Sequence, residues 1–348
     1  MADGRAVLRI DLAAARANWR LFAGLAPEAG ATVKADAYGL GADRLAPAFE
    51  AEGCRTFFVA QVQEGAALRA LLHADCAIYV YNGPAGGDHY LYSDHALRPV
   101  LNSPEQIAAW RDGGGGACAL HIDTGMNRLG LSADEARDLA ATGHGLDLRL
   151  VMSHLACADD PDNAMTARQL ADFKALSALF PGVPRSLSNS AGALTGPDYQ
   201  FDLTRPGVGL YGGQPRSTPC PDLKPVVRIA APVIRLRTLK QGEAIGYGAA
   251  FTAPQDMKVA IVALGYADGF LRASWPGGYG LLDGARAPLV GRVSMDLAAV
   301  DVTGLDAAPG AMVEFLGPAL EDTARAAGTI SYEFLTRLGA RFERVYAE

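Results

Sequence analysis

Short apolar segments alternate with amphipathic stretches from residue 31 to residue 210. Stretches such as residues 61–72 and 165–180 carry apolar residues at helical spacing, and Ser103 and Ser132 stand where helix N-caps are expected. Eight apolar segments accompany them, at residues 31–34, 56–60, 76–80, 98–101, 117–122, 148–153, 185–188 and 207–210. This repeat of strand and helix predicts a (β/α)8 barrel, with a doubly wound open sheet as the alternative.

The pattern changes after a stretch that is interrupted by four prolines between residues 215 and 225. Beyond it the apolar segments have strand character and are separated by turn residues such as Gly242, Gly284 and Gly310. The predicted strands are residues 226–239, 257–264, 287–293, 297–302 and 311–316. We therefore predict a barrel domain over residues 11–221 and a mainly-β domain formed by residues 1–10 and 222–348.

Composition narrows the range of partners and compartments. The 348 residues are half hydrophobic, which suffices for a large core and a second domain, and the net charge of −7 argues against nucleic acid as a partner. The five cysteines are scattered without a C-x-x-C pair, so we expect neither a disulfide framework nor a metal site. We find no signal-peptide pattern and no segment of the roughly 20 apolar residues that a membrane span needs. We therefore expect a cytoplasmic protein without a membrane partner.

Polar residues follow the predicted barrel strands at their C-terminal ends, where the active sites of barrels lie. Lys34 ends the first segment, and His154 and Ser190 follow the sixth and the seventh. A lysine that is desolvated at such a position has a lowered pKa and can form a Schiff base, whereas an ordinary strand-end lysine extends to solvent. The pattern therefore marks Lys34 as a candidate nucleophile.

Signals for anion binding occur at the same end of the predicted barrel. Arg128 follows the fifth segment, where its guanidinium could bind a carboxylate or a phenolate, or could anchor the loop. The small residues around Ser190 open a predicted helix, and Gly207 allows a ligand to approach the backbone closely. Barrels often hold a phosphate after the seventh and eighth strands, so we expect an anionic ligand here.

Nine motifs, in order from residue 33 to residue 333, closely resemble those of the alanine racemase family. The most specific are V-K-A-D-A-Y-G-L-G-A at residues 33–42 and R-P-G-V-G-L-Y-G at residues 205–212. The others are H-I-D-T-G-M-N-R-L-G at 121–130, S-H at 153–154 with A-D at 158–159, N-S-A-G at 189–192, I-G-Y-G at 245–248, G-Y-A-D-G at 265–269, G-R-V-S-M-D at 291–296 and S-Y-E at 331–333. The resemblance covers nearly the whole chain and implies a (β/α)8 barrel followed by a C-terminal β domain.

This resemblance implies an isomerase that interconverts L-alanine and D-alanine through an external aldimine of pyridoxal 5′-phosphate. Lys34 would carry the cofactor and act as one base, and Tyr247 of the partner subunit would act as the other. The family forms homodimers with shared active sites, so the β domain is expected to supply residues in trans. Such an enzyme makes D-alanine as a cell-wall precursor or degrades alanine, and the sequence leaves both roles open.

Further residues match the family's cofactor and substrate positions. Those at cofactor positions are Tyr38, His154, Asn189, Ser190, Arg205, Gly207, Val208 and Tyr332. In the family, the residue matching Arg205 faces the pyridine nitrogen and the one matching His154 packs against the ring. Arg128 and Met295 match contacts to the substrate carboxylate, and Tyr266 matches a tyrosine at the substrate entrance. Met295 and Tyr266 are expected to act from the partner subunit.

His121 departs from the family pattern. Many members have a lysine at this position, modified to a carbamate, which orients the arginine that is Arg128 in this chain. A histidine cannot form that carbamate. Either a bound anion or a direct hydrogen bond replaces it, or His121 is only a residue of the strand.

Three alternative functions remain open at the level of the sequence. The first is a racemase of broader amino-acid specificity on the same scaffold. The second is a decarboxylase of basic amino acids, which would not need Tyr247 as a second base or the carboxylate contacts at Arg128 and Met295. The third is a carrier of pyridoxal phosphate without enzymatic activity, which would have no need of the β domain.

Overall fold

The computed structural model describes residues 4–160 and 162–348 of the chain. The chain divides into two compact units. The first consists of Ala15–Leu210 and Gln214–Leu223, and the second of the described residues up to Ala14 together with Tyr211–Gly213 and Lys224–Glu348. The domain boundaries derived from the sequence, at residues 11–221 for the barrel, stay a prediction.

Strands and helices alternate through the first part of the chain. In order they are β1 (Val7–Asp11), α1 (Leu12–Ala23), β2 (Glu28–Ala29), β3 (Ala31–Thr32), α2 (Lys34–Gly39), α3 (Ala42–Ala51), β4 (Thr56–Val59), α4 (Val62–Arg69), β5 (Ala77–Val80), α5 (His89–Asp94), β6 (Arg98–Leu101), α6 (Pro104–Asp112), β7 (Ala117–His121), α7 (Ala133–Ala141), β8 (Asp147–Met152), α8 (Ala164–Ser177), β9 (Arg185–Ser186), α9 (Ser190–Ala193), α10 (Pro197–Gln200) and β10 (Leu203–Thr204). Ser103 and Ser132 cap α6 and α7, because each hydroxyl accepts a hydrogen bond from a first-turn backbone N–H.

The strands of the first unit form a parallel barrel. Strands β3 to β9 make a seven-stranded sheet in sequence order, and β10 pairs with β2. Backbone hydrogen bonds continue across the gap, from Arg205 N to Ser188 O (2.9 Å) and from Thr32 N to Pro206 O (3.0 Å). The (β/α)8 class predicted from the sequence is therefore confirmed, and the carboxyl ends of the strands gather at one end of the barrel.

Apolar side chains from six strands form one buried cluster in this unit. Its members are Phe58, Tyr79, Val100, Ala119, Leu150, Met152 and Leu203. Full burial of a large apolar side chain contributes about 1.5–3 kcal/mol to folding. This cluster therefore provides a rigid base on which the residues at the strand ends are held.

The prediction of the eighth strand was wrong. The sequence placed it at residues 207–210, but the strand is β10 and Val208–Tyr211 forms a 3-10 helix. A short segment that is buried on all sides looks the same in both structures, because neither alternation nor helical spacing is visible over four residues. The glycines here serve close packing, since a Cβ on Gly207 would lie 2.3 Å from Tyr38 Oη.

The second unit is mainly β, as predicted. Its later elements are β11 (Val227–Leu239), β12 (Ala244–Ile245), β13 (Phe251–Thr252), β14 (Met257–Val262), β15 (Tyr279–Leu282), β16 (Ala285–Pro288), β17 (Ala298–Asp301), β18 (Met312–Leu316), α11 (Leu320–Ala326), α12 (Ser331–Thr336) and β19 (Glu343–Ala347). Eight strands form one sheet with the path β16-β15-β18-β11-β1-β19, while β14 pairs with β11 and β17 with β14. The N-terminal strand β1 thus pairs antiparallel with β11 and parallel with β19.

Strand β15 was missed by the sequence pattern, and the strand predicted at residues 287–293 is shorter and begins earlier, as β16. Glycines weaken the alternating pattern in this region. Gly280 is needed within β15, because a Cβ there would lie 2.5 Å from Val313 Cγ1. No helix in the described part of the chain is long and apolar enough to cross a bilayer.

Candidate active site

Lys34 lies two residues after the end of β3 and is the first residue of α2, which is an unusual turn. The four residues that follow it, Ala35, Asp36, Ala37 and Tyr38, have φ angles of 52°, 54°, 51° and 58°, which is the left-handed helical region. For L-residues other than glycine this conformation costs roughly 1–2 kcal/mol per residue. A turn of this kind forms only where surrounding contacts hold it.

Two carboxylates hold the turn. The backbone N–H of Ala35 donates to Glu64 Oε1 at 2.6 Å, and the N–H of Ala42 donates to Asp36 Oδ1 at 2.8 Å. At its start, Val33 N donates to Phe58 O (2.9 Å), which fixes the chain to strand β4. The Lys34 side chain is thereby set at the carboxyl end of the barrel strands.

The environment of Lys34 favours the neutral amine. Burial lowers the pKa of Lys34, the Arg128 guanidinium lowers it further, and the Glu64 carboxylate opposes this by raising it. The ammonium nitrogen lies 5.7 Å from the centre of the Tyr81 ring. A lysine with a lowered pKa has a larger neutral fraction near pH 7 and can act as a nucleophile or a base.

Arg205 is a buried cation fixed by several acceptors. Its guanidinium donates to Ser153 O at 2.5 Å, to Leu187 O at 3.3 Å and to Ser186 Oγ. Its Nε is buried and, within the described residues, has no hydrogen-bond partner. Because an unpaired buried donor is costly, the site is arranged for an acceptor that a ligand would bring.

His121 is neutral and its tautomer is fixed by Asn102. The ring Nδ1 lies 2.8 Å from Asn102 Oδ1, while Asn102 Nδ2 donates to Tyr81 O (2.9 Å) and Val100 O (2.8 Å). The amide oxygen must therefore accept, so Nδ1 carries the proton and Nε2 is an acceptor. Burial and then Arg205 lower the pKa of His121 to about 4.

A direct hydrogen bond between His121 and Arg128 does not form in this chain, and a bound anion stays a prediction. The Arg128 guanidinium forms no hydrogen bond or ion pair with residues 4–160 or 162–348, and the side chain is exposed. The direct hydrogen bond of His121 goes to Asn102 instead. His154 also stays neutral, because burial, with Arg205 and Arg128 nearby, lowers its pKa well below the ordinary value.

The residues predicted to bind a phosphate lie together in the first unit. Ser190 Oγ accepts from Gly207 N at 2.8 Å and from Gly209 N at 3.2 Å, which joins the start of α9 to the loop after β10. The Tyr38 hydroxyl lies against Gly207, where no Cβ would fit. Asn189 caps α9 by accepting from Gly192 N at 2.9 Å.

The other predicted site residues belong to the second unit. Tyr247, Met295 and Tyr266 are exposed, with 65%, 53% and 40% of their surface accessible, and Tyr332 lies on α12. The loops of Tyr266 and Met295 are joined, because Tyr266 N donates to Ser294 O (3.0 Å) and Ala267 N donates to Met295 O (2.9 Å).

Comparison with known proteins identifies the family. The family described as "Alanine racemase, N-terminal domain" matches residues 10–215, and "Alanine racemase, C-terminal domain" matches residues 226–346. The chain belongs to the alanine racemase family. The resemblance seen in the sequence motifs is thereby confirmed.

Relatives and solved structures of alanine racemases match over nearly the full chain. The alanine racemase of Rhodospirillum rubrum is 46% identical, covering 98% of this chain and 96% of that protein. The catabolic alanine racemase of Agrobacterium fabrum is 45% identical, with coverages of 98% and 92%. The Bartonella henselae alanine racemase with covalently bound pyridoxal phosphate matches with a TM-score of 0.92 at 36% identity, covering 98% of this chain and 99% of that chain.

Three residues of this alanine racemase family member that hold parts of the structure in place were not predicted from the sequence. They are Glu64, which holds the turn after Lys34, Asn102, which fixes the tautomer of His121, and Arg341. Arg341 forms ion pairs with Asp268 (3.2 Å) and Asp296 (2.8 Å) in the second unit. The only signal for Glu64 was its place three residues after a helix N-cap.

Proposed function

We propose that this chain is a pyridoxal-phosphate-dependent alanine racemase that interconverts L-alanine and D-alanine. The observation that carries the proposal is a lysine of lowered pKa at the carboxyl end of the barrel strands, in a chain 46% identical to an alanine racemase. A structural relative at 36% identity binds pyridoxal phosphate covalently. Lys34 is the residue that would hold the cofactor in this chain.

The residues of the first unit fit this cofactor. The buried Nε of Arg205 offers a hydrogen bond to an acceptor such as the pyridine nitrogen, and a guanidinium cannot give up its charge to protonate that nitrogen. The cofactor phosphate would be held by Tyr38, Asn189, Ser190, Gly207 and Val208 of this unit and by Tyr332 of the second unit. His154, neutral and close to both arginines, would pack beside the ring.

Racemisation requires a proton to leave one face of the α-carbon and another to arrive on the opposite face. When bound, pyridoxal phosphate supplies an electron sink that acidifies the α C–H bond of an amino acid. Lys34 then takes or gives the proton on one face, and Tyr247 of the partner subunit serves the other. Arg128 and the partner's Met295 would bind the substrate carboxylate.

The second base makes a homodimer part of the proposal. Tyr247, Met295 and Tyr266 are exposed apolar or aromatic side chains of the second unit. We propose that this β unit, residues 1–10 and 222–348 in the sequence prediction, supplies them to the partner's barrel of residues 11–221. Tyr266 would line the substrate entrance of that shared site.

We also propose a cytoplasmic enzyme that supplies D-alanine as a cell-wall precursor. The five cysteines, all within the described residues, are free, which suits a reducing compartment. A relative at 43% identity is a biosynthetic alanine racemase, whereas another at 45% is catabolic. A broader amino-acid racemase is the alternative, and kcat/KM for alanine against serine and larger amino acids distinguishes the two.

The decisive test replaces the proposed cofactor lysine. Purified wild-type protein should show the visible absorbance of bound cofactor, convert L-alanine to D-alanine, and exchange the α-proton in D2O. Lys34→Ala should lose this absorbance. Its kcat should fall by at least roughly 1,000-fold, because a base and the covalent attachment of the cofactor are lost together. Full activity in this variant, or no α-proton exchange by the wild type, would reject the proposal.

A further inference from the structure

Glu64 connects two structures that are distant in the sequence. It is the third residue of α4, where its Oε2 accepts from the backbone N–H groups of Ala60 (2.8 Å) and Gln61 (3.0 Å) in a capping box. Its Oε1 accepts from Ala35 N at 2.6 Å. One carboxylate therefore ties the end of β4 to the residue that directly follows Lys34.

The bond to Ala35 acts at the first residue of the left-handed turn. Four consecutive non-glycine residues in that conformation are strained, and the chain returns to a right-handed conformation only at Leu40. A charged acceptor at the start of the turn opposes its relaxation toward ordinary dihedral angles. Such relaxation would rotate the Cα–Cβ bond of Lys34, which immediately precedes the turn.

We propose that Glu64 is a positioning residue, whose carboxylate holds the left-handed turn in the conformation that presents the Lys34 amine to the barrel mouth. This inference rests on the proposed role of Lys34 as the cofactor lysine. Glu64 itself need not touch the substrate or the cofactor. Its effect passes through the backbone of Ala35.

Electrostatics support the same assignment. Burial and Arg128 lower the pKa of Lys34, and Glu64 is the group that raises it. The Glu64 carboxylate therefore limits the fall in the pKa of Lys34, so that the amine stays basic enough to accept a proton. Burial lowers that pKa, so that part of the amine is neutral. Geometry and charge both connect this carboxylate to Lys34.

The chain contains a matched control. Glu135 is also the third residue of its helix, α7, and its Oε2 accepts from Ser132 N at 2.8 Å in a capping box of the same kind. Within the described residues, the hydrogen bonds of Glu135 go to Ser132 and not to the turn after Lys34. Glu135→Gln therefore loses the charge and weakens the cap of a helix start, as Glu64→Gln does, without affecting Ala35.

The experiment compares Glu64→Gln with Glu135→Gln as purified, cofactor-loaded enzymes. A glutamine has one acceptor oxygen, which can serve the N–H pair of Ala60 and Gln61 but not Ala35 as well. Residue-resolved hydrogen exchange should show the Ala35 amide exchanging about 10- to 100-fold faster in Glu64→Gln, the range expected for losing a hydrogen bond to a charged group. Glu135→Gln should leave Ala35 unchanged.

Kinetics provide the second measurement. Misplacement of Lys34 should lower kcat by about 10- to 100-fold in Glu64→Gln and leave KM within about twofold, because proton transfer rather than binding is impaired. Equal effects of the two glutamine variants on Ala35 exchange and kcat would overturn the proposal. If Glu64→Gln does not fold, the shorter carboxylate of Glu64→Asp, which cannot reach both sets of donors, decides it in the same way.

Failure of this inference differs from failure of the proposed function. If Lys34→Ala kept its activity, the function would be wrong even if the Ala35 amide opened in Glu64→Gln. If Lys34→Ala is inactive and Glu64→Gln retains the wild-type kcat and Ala35 exchange, only the positioning role is wrong. Hydrogen exchange therefore tests the contact independently of catalysis.

Discussion

At the scale of single residues, the tautomer of His121 is fixed by its neighbour Asn102. Asn102 gives both hydrogens of its amide to carbonyl oxygens, so its oxygen can only accept, and His121 must present Nε2 as a lone pair. This chain therefore has a neutral hydrogen-bond acceptor at position 121.

The lowered pKa of His121 predicts an acid-sensitive fold. An unfolded histidine takes up a proton below about pH 6.5, whereas His121 in the folded protein does so only near pH 4. Its contribution to stability is therefore complete above about pH 6.5 and is lost as the pH falls. When the pH falls from 7 to 5, His121 alone should lower the free energy of unfolding by about 2 kcal/mol.

Urea denaturation of wild type and His121→Asn at pH 7 and at pH 5 measures this loss of unfolding free energy. The asparagine keeps a donor for Asn102 and has no proton to gain, so the variant should lose about 2 kcal/mol less on acidification. All other titrating groups are common to the two proteins and cancel. Identical losses in wild type and variant would show that His121 has the same pKa in the folded and the unfolded chain.

Sequence motifs could predict roles for Lys34, Arg205 and Ser190 because the expected chemistry depends on those side chains themselves. They could not identify Glu64 or Arg341, whose role lies in the group they contact. Ala35 and Glu64 are 29 positions apart, and Asp296 and Arg341 are 45 apart. Only the folded backbone brings such pairs together.

At the scale of elements, Arg341 joins two loops of the second unit. It binds Asp268, which is almost fully buried and also accepts from Gly265 N at 2.8 Å, and it binds the exposed Asp296. Tyr266 and Met295 precede these aspartates in the same loops. The guanidinium therefore sets the spacing of two proposed substrate-site residues.

Arg341→Gln should loosen these loops and raise KM for alanine by about 2- to 10-fold, with a smaller change in kcat, because the affected residues bind rather than react. Arg337→Gln is the control, since Arg337 pairs with Glu333 on the exposed side of α12 at 3.4 Å. Steady-state kinetics of both variants provide the comparison. An Arg341→Gln enzyme with unchanged KM would show that the two loops hold their spacing without it.

The sequence located most elements of both units but not the eighth barrel strand. Strands β4 to β8 are apolar segments that lie between well-marked helices, and this repeat of strand and helix is visible in the sequence. Strand β10 has two residues, and its place in the barrel depends on hydrogen bonds to β2 and on those of Arg205. Pairing of this kind leaves no periodic signal in the chain.

At the scale of the whole molecule, the proposed site residues are divided between two compact units. Lys34, Arg205 and Ser190 belong to the first, and Tyr247 belongs to the second. A dimer that exchanges these units between chains would make each active site the product of two copies. Neither unit could then racemise alanine by itself.

This division predicts complementation between two inactive chains. Lys34→Ala and Tyr247→Phe should each be inactive as a homodimer. In a heterodimer of the two, one site receives both defects and the other receives none, so activity should return to about half that of wild type. Co-expression with different affinity tags, isolation of the mixed dimer and an alanine racemisation assay measure it. A mixed dimer as inactive as its parents would place Tyr247 in the same site as the Lys34 of its own chain.

The left-handed turn after Lys34 reverses the usual rules of substitution for four positions. In an ordinary helix glycine is among the poorest residues and alanine is the best. At Ala35 and Asp36, which are exposed, glycine would relieve strain, and a β-branched residue would add to it. Mirror-image residues would suit the turn best of all. A chain proposed to make D-alanine therefore contains, next to its proposed cofactor lysine, a backbone segment whose geometry D-alanine itself would favour.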